Sequence, residues 1–245
     1  MSNIIKLSVY EFINVVKTRG FLYAMLIGAL YISLWIFISP KSFSSYNYQF
    51  EFFRVINFII LYYSCAVLGK EFTYGTSNIL FTGALTRTQV LLEKIFVILK
   101  FGLFFWLCSR FIEIIVQLRI YGKLDIAVLI GKITIFSLII YLLISFVIGS
   151  FGLLISIAMR KFTSTLIITL SVFGVLQHFI PIFIELRTKE HLTLTEQIIT
   201  KTPNYTIFSW VQFWDISAIQ VLTMLLWGFL FFITSYMVIN KRSLR

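Results

Sequence analysis

Polar and charged side chains inside long apolar runs are the first candidates for function in this sequence. Arg110 and Glu113 interrupt one run, Lys100 lies earlier in the same run, and Arg54 and Asn57 lie near the start of another. A charge inside an apolar segment is costly and usually faces a bundle interior or an aqueous cavity. These five residues are therefore predicted to line a substrate path, with Asn57 as the weakest candidate.

Each of these charges also has a purely structural interpretation. Arg110 and Glu113 are three residues apart, so they can pair with each other on one helix face. Arg54 lies close to one boundary of its apolar run, and Lys132 lies close to a boundary of a later run. Both side chains can extend to lipid headgroups. Lys100 can extend toward the cytoplasm in the same way. The sequence leaves both interpretations open.

Motifs for enzymatic chemistry are missing. Three Gly-Lys pairs occur, but none has the upstream glycine and the following Ser or Thr of a phosphate loop. His178 and His191 have no partner at metal-ligand spacing, and Glu113 has no second carboxylate near it in sequence. Cys65 and Cys108 lie in apolar runs and are interpreted as packing residues. We therefore expect a protein that is not an enzyme and has no metal or cofactor of its own.

The composition indicates an integral membrane protein. The 245 residues are 59% hydrophobic and 13% charged, with a mean hydropathy of +0.94, whereas soluble domains have about 45–50% apolar and about 25% charged residues. The predicted fold class is all-α, and the six spans it contains leave no room for a sizeable soluble domain. The net charge of +11 is explained by the membrane topology below, so no nucleic-acid partner is expected.

The apolar runs predict six transmembrane helices in one domain over residues 1–245. The spans lie at about 21–39, 52–69, 95–115, 132–159, 162–184 and 216–239. A polar loop is predicted at 41–51, and short or re-entrant helices are predicted at 185–215. The fourth run begins at Ile126 and is too long for one perpendicular span. It is either a tilted helix or a short interfacial piece followed by a helix from about Lys132.

Residues 3–19 are predicted to form an amphipathic helix in the membrane interface, with basic residues toward the phosphate headgroups. Ile5, Val9, Phe12, Ile13 and Val16 share one face. A cleavable signal peptide is the alternative, but polar residues recur throughout the segment and no short apolar core leads to a cleavage site.

The distribution of charge fixes the predicted orientation. With six spans, both termini, residues 70–94 and the turn at 160–161 share one side, which carries eleven basic and three acidic residues. The opposite loops carry six of each. Since basic residues concentrate on the cytoplasmic side, both termini and residues 70–94 are predicted to be cytoplasmic.

Residues 70–94 form a polar insert between the second and third spans. Gly75 permits a sharp turn, Thr76 or Ser77 can cap a short helix after it, and Thr86 can cap the helix that leads into the third span. Leu80, Phe81 and Leu85 recur at near-helical spacing.

The insert resembles the cytoplasmic segment of the ABC-2 type permeases, the membrane subunits of type-2 ABC exporters. That segment reads as an acid, a Gly-Thr pair, a short leucine-bearing helix, a Ser/Thr-Arg step and a lysine that opens the next helix. The matching residues are Glu71, Gly75, Thr76, Leu80, Thr82, Thr86, Arg87 and Lys94. The chain departs from many relatives at Gly83-Ala84-Leu85, where they carry a proline.

The resemblance implies a coupling helix at about Gly75 to Leu85, docked on a dimer of separate ABC ATPase subunits that bind ATP and Mg. The coupling residues would be those that match, together with Tyr74 and Leu85. The resemblance also implies a second permease chain, identical or a sibling, in a bacterial plasma membrane. The alternative for the insert is an ordinary helical hairpin loop.

The substrate class is indicated only weakly. Twenty-seven Phe and twelve Tyr favour an apolar, aromatic-lined interior, and the resemblance extends to exporters of antimicrobial or toxin peptides. Export of hydrophobic or amphipathic peptides is therefore expected. The alternatives are an ATP-independent membrane immunity or binding protein for a peptide, and an ABC-2 permease for a lipid or a drug.

Overall fold

The computed structural model describes residues 2–38, 45–77, 81, 85–124, 131–177, 179, 193–213 and 217–241. Within these residues, every element of regular secondary structure is a helix. They are α1 (Ser2–Val16), α2 (Arg19–Ile38), α3 (Ser45–Thr73), α4 (Arg87–Tyr121), α5 (Lys132–Met159), α6 (Phe162–Leu170, continued by a π-helical segment Ser171–Leu176), α7 (Leu194–Thr200), α8 (Pro203–Phe213) and α9 (Ala218–Lys241).

Five of the described helices are long and apolar enough to cross a membrane. They lie at Arg19–Ile38, Asn47–Thr73, Arg87–Arg119, Thr134–Met159 and Ala218–Lys241. The chain is thus an all-helical protein with the features of a multi-pass membrane protein, as its composition predicts. The predicted span at 162–184 is represented by the shorter apolar stretch Phe162–Leu176, and most of its remaining residues lie outside the described part of the chain.

α5 is the central helix of the bundle and packs on α3, α4, α6 and α9. Small residues allow the closest approaches. A Cβ atom added to Gly102 of α4 would lie 2.5 Å from the Ser145 Oγ and 2.9 Å from the Tyr141 carbonyl oxygen. One added to Gly152 of α5 would lie 3.0 Å from the Ser64 carbonyl oxygen of α3. Glycine at such positions lets the backbones of membrane helices approach each other.

α3 begins seven residues before the predicted span, so the loop predicted at 41–51 is wrong for its second half. Residues 45–51 are helical, and Gln49 and Glu51 are buried. The prediction failed because these polar residues were assigned to an aqueous loop. In the structure they are bonded to side chains of α2 and α4, which removes the cost of burying them.

α2 lies at the edge of the bundle. Its buried residues are Phe21, Gly28 and Ile32, and most of its other side chains are at least partly exposed. Phe21 anchors the start of the helix in an aromatic cluster, with its ring centroid 5.5 Å from that of Tyr63 and 5.9 Å from that of Phe101. The rest of α2 makes fewer contacts with the bundle, and an apolar groove runs along it on the α3 side.

The apolar face predicted for α1 is only partly in contact with the bundle. Ile4 and Ser8 are buried, and α1 packs mainly on α4. Of the predicted apolar face, Ile5, Val9 and Ile13 are exposed, whereas Phe12 and Val16 pack against the core. The side of α1 that contacts protein therefore includes part of the predicted face together with Ile4 and Ser8, and hydrophobic periodicity alone does not reveal the burial of Ser8.

Two short helices occupy the described part of the predicted 185–215 region, of which residues 185–192 and 214–215 lie outside the description. α8 buries Ile207 and Trp210 in the bundle. The Trp210 indole donates a hydrogen bond of 3.1 Å to the Gln220 side chain at the start of α9. Trp227 of α9 donates one of 3.2 Å to the Lys201 carbonyl between α7 and α8. Both tryptophans thus fasten this region to α9.

Candidate functional site

The end of the bundle where α3 ends and α4 begins, called the base here, holds most of the described coupling candidates. α3 continues through Glu71 to Thr73 and ends in a turn over 74–76. Gly75 has a φ of +72°, a backbone conformation that residues with a Cβ atom rarely adopt. The predicted sharp turn is therefore confirmed. The Thr76 hydroxyl donates to the Glu71 carboxylate and, at 3.3 Å, to the Glu71 carbonyl. Thr76 therefore closes the turn back onto α3.

Most of the predicted short helix between the turn and α4 lies outside the described residues. Leu80 and Thr82 are among the residues that are not described. Ser77 and Phe81 are helical. The Phe81 ring is buried and lies 6.1 Å from the ring centroid of Phe72 on α3. Leu85 is partly buried against the same apolar cluster, which joins α3, α4, α5 and α9.

Thr86 caps α4, as its sequence position predicts. Its hydroxyl accepts a hydrogen bond of 3.3 Å from the Gln89 backbone N–H, and the Gln89 side chain accepts one of 2.8 Å from the Thr86 backbone N–H. This reciprocal pair satisfies two backbone donors that helix geometry leaves free. The start of α4 is therefore fixed locally.

Arg87 connects the start of α4 to the end of α9. Its guanidinium Nη1 donates a hydrogen bond of 2.7 Å to the Ile239 carbonyl oxygen. Carbonyl groups in the last turn of a helix lack partners within the helix and carry its negative dipole end, so a cation is favoured there. Arg87 thereby connects residues 70–94 to the last helix of the chain.

Lys94 and Lys100 hold α1 on α4. The Lys94 Nζ lies 2.6 Å from Glu11 Oε2 and 3.3 Å from Glu93 Oε2, and its side chain is only 4% exposed. About one and a half turns further along α4, the Lys100 Nζ donates a hydrogen bond of 2.6 Å to the Ser8 hydroxyl of α1. Lys94 was predicted as a coupling residue and Lys100 as a path residue. In the structure both contact the N-terminal helix.

The end of α3 also supports the start of α6. The Thr73 hydroxyl accepts a hydrogen bond of 2.9 Å from the Phe162 backbone N–H. The Lys70 ammonium lies 5.3 Å from the ring centroid of Tyr62 and 5.6 Å from that of Phe162, within the range of cation–π attraction. α3, α6 and the turn are therefore held together at the base.

Arg110 and Glu113 form a buried pair nearer the far end of α4. The two side chains are 2.5 Å apart, in the i,i+3 arrangement that their spacing permits. Gln49 of α3 joins them. Its amide oxygen accepts from Arg110 at 2.7 Å, and its amide nitrogen donates to Glu113 at 2.8 Å. The pair is thus bonded across two helices inside the bundle.

Arg54 and Asn57 lie on different sides of α3. Arg54 is about half exposed, lies 3.2 Å from Glu51, and covers the Phe50 ring at 4.3 Å. The Tyr31 hydroxyl of α2 donates to the same Glu51 carboxylate at 2.6 Å. Asn57 is buried and donates at 3.4 Å to the Phe173 carbonyl in the π-helical segment. Arg54 is exposed along the groove beside α2, whereas Asn57 contacts the π-helical segment that continues α6.

Sequence reasoning missed four side chains that contact these charges: Ser8, Glu11, Gln49 and Glu51. A search restricted to charges in apolar runs passes over Ser8 and Gln49, and Glu51 was assigned to a loop. One signal was present, since Glu51 and Arg54 have i,i+3 spacing that predicts a helical pair. No short-range signal links Gln49 to a side chain 61 or 64 residues away.

Metal-binding geometry is not found in the described part of the chain, where no three His, Cys, Asp or Glu side chains are grouped to hold an ion. No protein-family model matches the chain, and no curated protein matches it.

Proposed function

We propose that this chain is the membrane-spanning subunit of an ATP-driven exporter of the ABC-2 type. In this proposal it moves hydrophobic or amphipathic peptides out of the cell. ATP is hydrolysed by separate ATPase subunits that dock on residues 70–94. In this proposal the chain itself does not hydrolyse nucleotide, since its sequence has no phosphate loop, and the ATP and Mg belong to the ATPase dimer.

The observation that carries the proposal is the anchoring of the insert on both flanks. Thr73, at its beginning, is bonded to α6. Arg87, after the short helix, is bonded to α9, and Lys94, at its end, is bonded to α1. A load applied to the insert therefore reaches three helices besides α3 and α4. An ordinary hairpin loop needs none of these connections.

The proposal includes a topology with six spans in a bacterial plasma membrane and both termini in the cytoplasm. The fifth span would begin at Phe162, continue through the π-helical segment and end near residue 184. Two arguments support this topology: about 20 apolar residues are needed for a span, and basic residues concentrate on the side that holds residues 70–94. α1 would lie in the interface on that side, with Ile5, Val9 and Ile13 toward lipid.

A second permease chain, identical or a sibling, would complete the path between two subunits. Of the five predicted path residues, Arg54 is the strongest candidate, because its side chain is about half exposed along the groove beside α2. The other four are bonded within the bundle: Asn57, Lys100, Arg110 and Glu113. Their role in this proposal is to hold α1, α3, α4 and the π-helical segment that continues α6 in fixed relative positions.

Co-purification with an ATPase tests the proposal. The chain is co-expressed with each ABC ATPase subunit encoded beside its gene and purified by a tag on the chain. We expect an ATPase to be retained, and we expect replacement of Gly75 and Thr76 together by alanine to reduce its retention about tenfold, since both residues shape the docking turn.

Gly122 provides the matched control. It also has a positive φ, +65°, but lies at the far end of α4, so Gly122→Ala should impose similar strain and leave ATPase retention unchanged. If no ATPase is retained by the wild-type chain, while a peptide binds it without ATP, the chain is an ATP-independent binding or immunity protein. Equal loss in both variants would also contradict docking at residues 70–94.

A further inference from the structure

A long groove runs between α2 and α3 and has a volume of about 960 Å³. Its lining on α2 repeats at helical spacing, at Gly20, Ala24, Ile27 and Tyr31. On α3 it extends from Arg54 at the far end to Tyr74 at the base. Apolar and aromatic side chains line the length of the groove, and charged side chains lie only at its two ends.

The groove is about as long as the hydrocarbon part of a bilayer is thick. Arg54 and Tyr74 are 20 residues apart on α3 and its terminal turn, which corresponds to about 30 Å at a rise of about 1.5 Å per residue. This length equals the hydrocarbon thickness of a bilayer, about 30 Å, so an acyl chain from one leaflet covers the half of the groove next to the base.

The base of the groove carries one available cation beside one carboxylate. Lys70 lies against the Tyr62 and Phe162 rings, and no described carboxylate forms an ion pair with it. Glu71 follows it and also lines the groove, and one of its two carboxylate oxygens, Oε2, accepts from the Thr76 hydroxyl. Glu11, the third charge there, is paired with Lys94. At the far end, by contrast, Arg54 is paired with Glu51.

We propose that this groove binds a phospholipid with a primary-amine headgroup, such as phosphatidylethanolamine, from the leaflet at the base. The phosphate binds the Lys70 ammonium, the headgroup amine binds the Glu71 carboxylate, and an acyl chain lies along Ala66, Ala24 and Ile27. The adjacent opposite charges match a headgroup that carries both signs. An ammonium–phosphate contact is a strong, charge-assisted interaction. This assignment does not depend on the transport function.

Lipid retention by the purified full-length chain tests the assignment, with no ATPase present. The chain is exchanged into detergent containing dioleoyl phosphatidylethanolamine, phosphatidylglycerol or phosphatidylcholine, and bound lipid is counted by native mass spectrometry. We expect the ethanolamine lipid to be retained about tenfold more tightly than either of the others, since only it supplies both a phosphate and an amine that donates hydrogen bonds.

Two variants locate the lipid. Lys70→Met removes the phosphate partner and should weaken retention about tenfold, whereas Lys70→Arg should preserve most of it. Gly20→Leu places a side chain in the groove at a position where an added Cβ atom meets nothing within 4 Å. It should also weaken retention, and it keeps the test valid if Lys70→Met does not fold.

Lys17→Met is the matched control, since it removes an exposed basic residue near the same end of the bundle. Retention in this variant should equal that of the wild type. The assignment is overturned if all three lipids are retained equally, if Lys70→Met and Gly20→Leu both retain lipid like the wild type, or if Lys17→Met loses as much lipid as Lys70→Met.

Discussion

The guanidinium of Arg87 lies 2.7 Å from the carbonyl oxygen of Ile239, although 152 residues separate the two along the chain. This hydrogen bond joins the first residue of α4 to the last turn of α9. It satisfies a carbonyl that helix geometry leaves without a partner, and it does so with a cation at the negative end of the helix dipole. The position of residues 70–94 is thereby coupled to the last helix.

Removing this bond should loosen the end of α9. Arg87→Ala is expected to lower the free energy of unfolding by about 1–2 kcal/mol, since a charge-assisted bond to a partly buried carbonyl is lost. Thermal unfolding in detergent measures the change. Lys123→Ala, which removes an exposed cation at the far end of α4, should have no effect. Equal stability of Arg87→Ala and the wild type would show that the bond contributes nothing.

The buried pair of Arg110 and Glu113 should be more costly to break than to replace. Glu113→Leu leaves a guanidinium in the bundle without its carboxylate, and we expect a loss of about 3–5 kcal/mol in the free energy of unfolding. Replacing both residues, with Arg110→Met added, should recover much of that loss, because no unpaired charge remains. Denaturant titration of the purified variants measures both values. A double variant less stable than the single one would contradict this account.

The contact between α4 and α5 at Gly102 should not tolerate a methyl group. Gly102→Ala would bring a Cβ atom within 2.9 Å of the Tyr141 backbone oxygen, so overpacking should cost about 1–3 kcal/mol. Gly20→Ala is the matched control, since nothing lies within 4 Å of its added Cβ and alanine is favoured over glycine in a helix. Thermal unfolding should therefore separate the two variants in opposite directions.

The cap at Thr86 should contribute to stability through its hydroxyl. Thr86→Ala is expected to cost about 1 kcal/mol, whereas Thr86→Ser keeps the acceptor for the Gln89 N–H and should cost little. Hydrogen exchange of the amides in the first turn of α4 measures the effect directly, with faster exchange expected only in the alanine variant. Identical exchange in both variants would show that water replaces the cap at no cost.

Some local features could be predicted because they depend on residues close together in the chain. Thr86 precedes α4 as a capping residue, Gly75 takes the positive φ that a sharp turn requires, and Arg110 pairs with Glu113 three residues away. Helix geometry alone brings side chains at i and i+3 together. The all-helical, membrane-spanning character likewise follows from apolar composition and run length.

The partners of the charged side chains were decided only by the tertiary structure. Nothing near Lys94 in sequence indicates that Glu11 lies 2.6 Å from it, and nothing near Arg110 indicates Gln49. Similarly, the apolar pattern of α1 does not reveal that Ser8 is buried against α4. The sequence by itself determined most of the helical segments and the local pairing of Arg110 with Glu113. Only helix packing determined which distant side chains contact the buried charges, because that depends on the rotation and separation of whole helices.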